Sequence, residues 1–508
     1  MGFLDNLLIG FSISLTQTNL LYCFIGVFLG TVIGVLPGLG PTATIAILLP
    51  ATFKLDVTSA IIMLAGIYYG SQYGGTITSV LVNIPGEAAS VVTCFDGYQM
   101  AKKGRAGAAL GIAAFGSFIG GTVGIIGLST LAFLSSIALS VGPLEYTTLM
   151  FLGCSLVIYF SSKSLLKGLL MGVLGFLLST IGMDSITAVE RFTFGSQSLI
   201  EGINVAILAM GLFGIGEVLY LAEKEKERER ADILNASTSF FSLLPNRRDW
   251  KDSSLPIARG TLLGFLLGIL PGGGAIIASF ISYGMEKRIS KNPEKFGKGA
   301  IEGVAGPETA NNAASQGAFI PLLLLGIPPN VVAALILAAF MIHGVTPGPL
   351  FMIEKPNLFW GIVTSMYIGN IMLLILNVPL IKVFVKILLI PYAVLSPLIL
   401  LFCFIGAYSI NNNPMDVLTL VIFGIVGYLM RKFQFEPGPL MLTFVIGPIF
   451  EKSLRQAILI ASANPQIFIS RPIAIILFVI AMYLYLSPLI RYFIQKYKNR
   501  KLLFNSRR

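Results

Sequence analysis

Scarcity of charge decides what this chain folds into. Only 12% of its residues are Asp, Glu, Lys or Arg, about half the share of a soluble globular protein. Meanwhile 55% are hydrophobic and mean hydropathy is +0.84. So few charges cannot cover a water-facing surface for 508 residues. The composition predicts a polytopic membrane protein. It excludes a string of soluble domains, a disordered chain, a collagen and a disulfide scaffold. Long Leu/Ile/Val/Phe/Gly runs without period-2 alternation select helices over a β-barrel.

The charges that remain are informative by position. Lys and Arg number 35 against 24 Asp and Glu, a net +11. In a membrane protein that excess is loop charge that sets orientation, not a nucleic-acid footprint. Cys23, Cys94, Cys154 and Cys403 all lie in apolar stretches without CxxC spacing, so neither a disulfide nor a metal site is expected. The start of the chain lacks a basic n-region and a small-residue cleavage site, which argues against a cleaved signal peptide. Residues 222–254 contain the run AEKEKERERAD and then Arg247, Arg248, Asp249 and Lys251. Alternating charge of this kind marks a solvated linker. It divides the chain into a first membrane repeat at 1–221 and a second at 255–465. An extra helix and a basic tail follow at 466–508.

The halves repeat one phrase. Gly30-Thr-Val-Ile-Gly-Val-Leu-Pro-Gly-Leu-Gly40 in the first matches Gly264-Phe-Leu-Leu-Gly-Ile-Leu-Pro-Gly-Gly-Gly274 in the second. Further on, Ser71-Gln72 pairs with Ser315-Gln316, and Asn83-Ile84-Pro85-Gly86 with Gly326-Ile327-Pro328-Pro329, with a one-residue gap between the two matches. Paired Gly/Pro interruptions of apolar segments point to a transporter with discontinuous helices. A helix over Ile257–Leu270 would be about 21 Å long and one over Ala275–Met285 about 16 Å. Neither spans a hydrocarbon core of about 30 Å, so each phrase is either one broken helix or a re-entrant hairpin.

Loop charges favour the hairpin. The positive-inside rule places the 222–254 linker and the Lys287, Arg288, Lys291, Lys295, Lys298 segment together in the cytoplasm. Both ends of 257–285 then share one side. In the first half only Lys54 separates the hairpin from the next crossing, and Lys102, Lys103 and Arg105 follow that crossing. The first hairpin is thus entered from outside and the second from inside. The expected fold is an all-α polytopic membrane protein of two inverted repeats, with re-entrant hairpins, broken helices and about 11–12 transmembrane segments. Further spans are expected near 106–139, 143–160, 165–180, 203–221, 357–378, 395–411, 415–430, 438–460 and 472–490. Phe3–Gln17 is either a short crossing or an interfacial helix.

Enzyme signatures are missing. His343 is the one histidine, and neither a GxSxG elbow nor a P-loop occurs. Candidate chemistry therefore sits at the interruptions. A helix broken in hydrocarbon leaves backbone groups that must be satisfied, and only a polar cavity makes that tolerable. At the tips, Pro37, Gly38, Gly40, Pro271, Gly272, Gly273 and Gly274 would let a ligand approach the backbone. Outgoing helix N-termini suit carboxylates, and incoming carbonyl ends suit Na⁺, expected at Pro37, Gly38, Pro271 and Gly272. Thr42, Thr44 and Ser279 follow the tips, where each hydroxyl would bond either a carboxylate or its own helix. The second interruptions add Asn83, Asn311, Asn312 and Ser315 as substrate-binding candidates. Ser71, Gln72, Glu87 and Glu308 are candidates for ion coupling. No Lys or Arg lies at a tip. Recognition of an anion would then rest on dipoles, amides, hydroxyls and a co-bound cation.

These residues resemble the large membrane subunit of the tripartite tricarboxylate transporters, the TctA family. The resemblance covers nearly the whole chain. Its most specific parts are Gly34-Val-Leu-Pro-Gly-Leu-Gly-Pro41, Tyr69-Gly-Ser-Gln-Tyr-Gly-Gly75, Asn83-Ile84-Pro85-Gly86-Glu87-Ala88-Ala89 and Gly306-Pro-Glu-Thr-Ala-Asn-Asn312. The resemblance implies a secondary transporter of the bacterial inner membrane, driven by a Na⁺ or H⁺ gradient, with no other cofactor. It implies a small membrane subunit and a periplasmic solute-binding protein as partners, and tricarboxylates or other small organic acids as cargo. Which acid, and whether copies of the chain associate, stay open. The competing classes are a membrane-embedded enzyme, which would need an acid/base or nucleophile cluster, and a passive anion channel, which would not need two inverted hairpins.

Overall fold

The computed structural model describes residues 2–36, 40–131, 142–161, 164–184, 186–224, 240–272, 274–387, 392–463 and 471–486. The expected tip residues Pro37, Gly38 and Gly273 lie outside the described residues. So do Lys163, most of the AEKEKERERAD run and the basic tail. The chain is an all-α polytopic membrane protein. Among the described residues, six helices are long and apolar enough to cross a bilayer: Gln17–Val35, Ala106–Thr130, Val205–Glu223, Pro356–Asn377, Ala393–Asn411 and Pro414–Lys432. Broken and shorter helices make up the rest, and the strands among the described residues are Gly182–Met183 and Glu190–Arg191, paired antiparallel.

The first repeat opens with α1 (Phe3–Ser14), α2 (Gln17–Val35), α3 (Pro41–Leu48), α4 (Val57–Val82), α5 (Thr93–Lys102) and α6 (Ala106–Leu131). It continues with α7 (Pro143–Ser161), α8 (Leu165–Ser179), α9 (Val205–Ala209), a π-helical stretch Met210–Ile215 and α10 (Gly216–Lys224). The second contains α11 (Arg247–Ile269), α12 (Gly274–Ile289), α13 (Glu302–Gly317), α14 (Phe319–Leu325) and α15 (Val331–Ile342). After these come α16 (Pro356–Asn377), α17 (Tyr392–Asn411), α18 (Pro414–Lys432) and α19 (Pro437–Ala463). A last helix covers Pro472–Leu486. α1 is about 18 Å long, too short to cross alone. It lies along α16, where Gly10 abuts Trp360 and Thr364 Oγ1 donates to Ser14 Oγ at 3.0 Å.

The structure lengthens one expected hairpin arm. α11 begins at Arg247, inside the segment assigned to the linker. Asn246 and Asp249 form a capping box there: Asp249 N–H donates to Asn246 Oδ1 at 2.9 Å, and Asn246 N–H donates to Asp249 Oδ2 at 3.1 Å. The arm is therefore about 34 Å of helix, not 21 Å. Its charged first turns lie at the basic edge of the molecule, and the apolar part still ends at Leu270. α12 folds back along it, with Arg259 donating to Glu286 at 2.8 Å. The hairpin survives although the length that first suggested it does not.

The internal repeat is visible in packing. α2 lies on α4 and α11 lies on α13 through matching glycines. A Cβ at Gly30 would stand 2.6 Å from Ile67 O; Gly34 faces Ser71 O, Gly264 faces Ala310 O and Gly268 faces Ala314 O in the same close manner. α4 ends at Asn83, φ 59°, and α14 ends at Gly326, φ 64°, both left-handed caps. Asn and Gly are the residues that reach this region most readily. Pairing Ile67 with Ala310, Ser71 with Ala314 and Asn83 with Gly326 keeps one offset. Ser71-Gln72 thus corresponds to Ala314-Ser315, one residue away from the expected match, and no gap is needed.

Polar pairs sort the loops onto two edges. On one, Lys103 Nζ donates to Lys298 O at 2.5 Å, Arg105 pairs with Asp249, Lys167 Nζ donates to Phe433 O at 2.7 Å, and Lys432 pairs with Glu223 at 2.7 Å. On the other, Asp184, Arg191, Glu451 and Arg455 form a cluster, Arg471 meets Glu145 at 3.3 Å, and Asp56 lies near His343. Backbone N–H groups of Thr187 and Ile186, with Arg455, hold the Asp184 carboxyl well below the usual carboxylate range. α5 ends beside the start of α13, while α15 ends beside the start of α4. Each repeat finishes where the other's crossing begins, so the repeats are inverted.

Two predictions test this packing and its direction. Gly30→Leu and Gly264→Leu should each cost about 1–3 kcal/mol through overpacking and lower the thermal midpoint of the purified protein. Gly284→Ala, where nothing lies within 4 Å of an added Cβ, should leave that midpoint unchanged or raise it. Single cysteines at Lys54 and Lys291, in a background without the native four, should be labelled by an impermeant maleimide from opposite sides of the membrane. Labelling of both from one side contradicts the inversion.

Candidate functional site

Two tips and two breaks converge between the repeats. Gly40 caps α3, and Pro41 occupies its first turn, where a missing N–H costs nothing. At the second tip Gly272 takes φ 114°, a conformation open to glycine, and its N–H donates to Pro329 O at 2.8 Å. The second tip is thereby tied to the second break. Asn330 then caps α15, its Oδ1 accepting from Ala333 N–H at 2.9 Å. Its Nδ2 donates to the Tyr68 hydroxyl of α4 at 2.9 Å.

A cavity of about 420 Å³ lies at this junction. Gly40, Pro41 and Thr42 line it from the first tip, and Ala275 and Ile276 from just beyond the second. Pro85, Gly86, Glu87 and Ala88 contribute the first break; Asn330, Val331 and Val332 contribute the second. Tyr68 and Gln72 face it from α4, and Glu217 and Arg431 also line it. The N-terminal ends of α3, α12 and α15 all border the cavity, so their partial positive charge favours an anion within it.

Behind the cavity wall runs a polar network made by both repeats. With the Gln72 amide nitrogen facing the carboxylate, it donates to Glu87 Oε1 at 2.8 Å and to Asn311 Oδ1 at 2.7 Å. Asn311 Nδ2 donates to Glu87 Oε1 at 3.0 Å. Glu308 of α13 is fully buried and is held by the first repeat: Thr76 Oγ1 donates to its Oε2 at 2.7 Å, and Thr93 Oγ1 donates to its Oε1. Gly75 makes room for Glu87, since a Cβ there would stand 2.8 Å from Glu87 Cγ. Each carboxylate is thus hydrogen-bonded by a residue of the other repeat, and one of the two reaches the cavity.

The structure divides the residues expected at the site. Gly40, Thr42, Gln72, Glu87 and, through Glu87, Asn311 come together, and Glu308 lies behind them. The hydroxyls of Thr44, Ser71, Ser279 and Ser315 bond carbonyls of their own helices: those of Gly40 at 3.1 Å, Tyr68 at 2.8 Å, Ala275 at 3.0 Å and Asn312 at 2.8 Å. Gly274 packs against Leu267 and Gly268. Asn312 turns away from the cavity toward α6, where its Nδ2 donates to Ser117 Oγ at 2.7 Å. Adjacent positions on a helix point about 100° apart, so one asparagine of the pair had to leave. Asn83 serves as the exposed cap of α4 and does not line the cavity.

Three lining groups escaped the sequence. Arg431, beside Lys432 at a helix end, has the sequence signature of loop charge, yet it sits on the cavity wall with Nη2 2.6 Å from Glu217 Oε2. The cavity therefore carries a basic side chain, although the tips do not. Glu217 is a carboxylate inside an apolar helix, a signal that was available. Tyr68 lies on an apolar stretch and carried none.

Residues 20–442 match the model of the tripartite tricarboxylate transporter TctA family. Over 475 residues, 93% of this chain and 94% of the relative, the sequence is 51% identical to an Agrobacterium vitis protein described as an uncharacterized 52.8 kDa protein in the TAR-I ttuC' 3'region. Over 211 residues, 42% of this chain and 87% of the relative, it is 56% identical to an uncharacterized protein in the TAR-II ttuC' 3'region of the same organism. No solved structure matches. With its two interrupted phrases meeting at one cavity, the chain belongs to the TctA family of tripartite tricarboxylate transporters.

Proposed function

We propose that this chain imports tricarboxylates or other small organic acids by alternating access across the bacterial inner membrane, driven by a Na⁺ or H⁺ gradient. The observation that carries the proposal is the cavity bounded by tips and breaks from both inverted repeats. A site placed there is exposed to one edge or the other as the repeats rock against each other. The acid's negative charge meets the N-terminal ends of α3, α12 and α15 and the hydroxyl of Thr42. Na⁺ would find oxygen ligands in the carbonyls of the tips, including Pro271 and Gly272, and a proton would be carried by Glu87 with Glu308 behind it. A periplasmic solute-binding protein delivers the acid, and a small membrane subunit completes the assembly. Transport by Glu87 and Glu308 differs from enzymatic acid–base chemistry: the carboxylates hand an ion between the repeats and make no bond to the cargo.

Proteoliposomes holding this chain and its small membrane subunit, with binding protein outside, provide the test. Radiolabelled citrate, succinate, tartrate and propionate should be offered with and without an inward Na⁺ or H⁺ gradient. At least one acid should accumulate above its external concentration, and only with a gradient. Equilibration without accumulation would indicate a channel, and chemical conversion of the acid an enzyme. Glu87→Gln should abolish gradient-driven accumulation yet retain exchange of labelled for unlabelled acid, because exchange needs no net ion movement. Full accumulation by this variant would remove Glu87 from coupling.

A further inference from the structure

The ion pair in the cavity lining is placed unlike the other ion pairs of the basic edge. Lys432–Glu223 is about half exposed on both sides, and Arg105–Asp249 ties the turn after α5 to the first turn of α11. Arg431–Glu217 instead lines the cavity itself, with Glu217 at 8% and Arg431 at 36% side-chain exposure. Arg431 Nη2 stands 2.6 Å from Glu217 Oε2, while the buried Nε of Arg431 has no hydrogen-bond acceptor among the described residues. A guanidinium offers five N–H donors in a planar fork that matches a carboxylate two bonds at a time. Apart from Nη2 on Glu217, the fork has no acceptor among the described residues, and Arg431 lines a space of the right polarity for an organic acid.

We infer that Arg431 receives a carboxylate group of the transported acid, and that Glu217 is the anion that neutralises Arg431 while the cavity is empty. The inference rests on the proposed import of organic acids through this cavity. A guanidinium that is partly withdrawn from water is costly when unpaired, so an empty cavity needs an internal counter-charge. An arriving carboxylate takes the unspent terminal N–H groups and competes with Glu217 for the rest of the fork. The acid is thus held by Arg431 together with the N-terminal ends of α3, α12 and α15. That arrangement favours acids with at least two carboxylates over those with one. The two partners of the pair act in opposite senses on affinity: Arg431 attracts the cargo and Glu217 competes with it. A pair kept only for packing would show no such opposition.

The test uses the same proteoliposomes and whichever of citrate, succinate or tartrate the unmodified protein accumulates best. Arg431→Gln should raise the half-saturating concentration of that acid at least about tenfold, the effect of losing one hydrogen bond to a charged group. Arg431→Lys, which keeps charge without the fork, should fall between this variant and the unmodified protein. Glu217→Gln should lower the half-saturating concentration or leave it unchanged. If Arg431→Gln fails to insert, the double variant Glu217→Gln/Arg431→Gln, which leaves no lone buried charge, should show the same rise. An unchanged half-saturation in the Arg431 variants, or equal rises on losing either partner, overturns the assignment. If the unmodified protein accumulates none of the acids, the proposed import is what fails.

Discussion

A backbone interrupted inside hydrocarbon has to find partners, and that requirement organises this protein. Each orphaned N–H or C=O in an apolar medium costs several kcal/mol. The chain meets the cost by bringing its interruptions together. Gly272 N–H is spent on Pro329 O, the Asn330 side chain caps its own helix and reaches Tyr68, and Asn83 and Gly326 stop their helices in one left-handed conformation. What remains polar faces a shared cavity. The glycine contacts of α2 on α4 and of α11 on α13 follow from the same need, because only closely packed backbones leave no lipid against a broken helix.

The network around Glu87 and Glu308 adds a second consequence. Glu87 belongs to the first repeat and accepts from Asn311 of the second; Glu308 belongs to the second and accepts from Thr76 and Thr93 of the first. Neither repeat can shift against the other without exchanging these bonds. Buried polar networks are costly when half satisfied. A bound ion or proton that changes the charge on either carboxylate therefore changes which arrangement of the repeats is preferred. Coupling of the proposed kind would need no signal transmitted over a distance, since Glu87 and Glu308 are themselves part of the contact between the repeats.

Much of the fold was legible because membrane constraints are severe. Composition showed the class, loop charges pointed to the inversion of one repeat relative to the other, and paired Gly/Pro phrases located both interruptions. The sequence misled where local rules compete. The charge run before α11 hid a helix start that Asn246 and Asp249 cap. Hydroxyls at Thr44, Ser71, Ser279 and Ser315 looked available but bond their own backbone, which periodicity does not reveal. Asn311 and Asn312 looked alike in the sequence and face different neighbours on the helix. Arg431 was hidden by its neighbour Lys432: two adjacent basic residues at a helix end suggest loop charge, and only the fold shows that one of them turns inward.

The central claim is that one cavity between inverted repeats is reached from both sides of the membrane in turn. Ile276 lines that cavity beyond the second tip and is partly exposed. A single cysteine at this position, in a protein without the native four, can be treated with an impermeant maleimide in right-side-out and in inside-out vesicles. Alternating access predicts labelling from both sides, with the ratio of the two shifted by an imposed ion gradient and both slowed by the transported acid. Labelling from one side alone under every gradient, with no protection by any acid the protein accumulates, would contradict it.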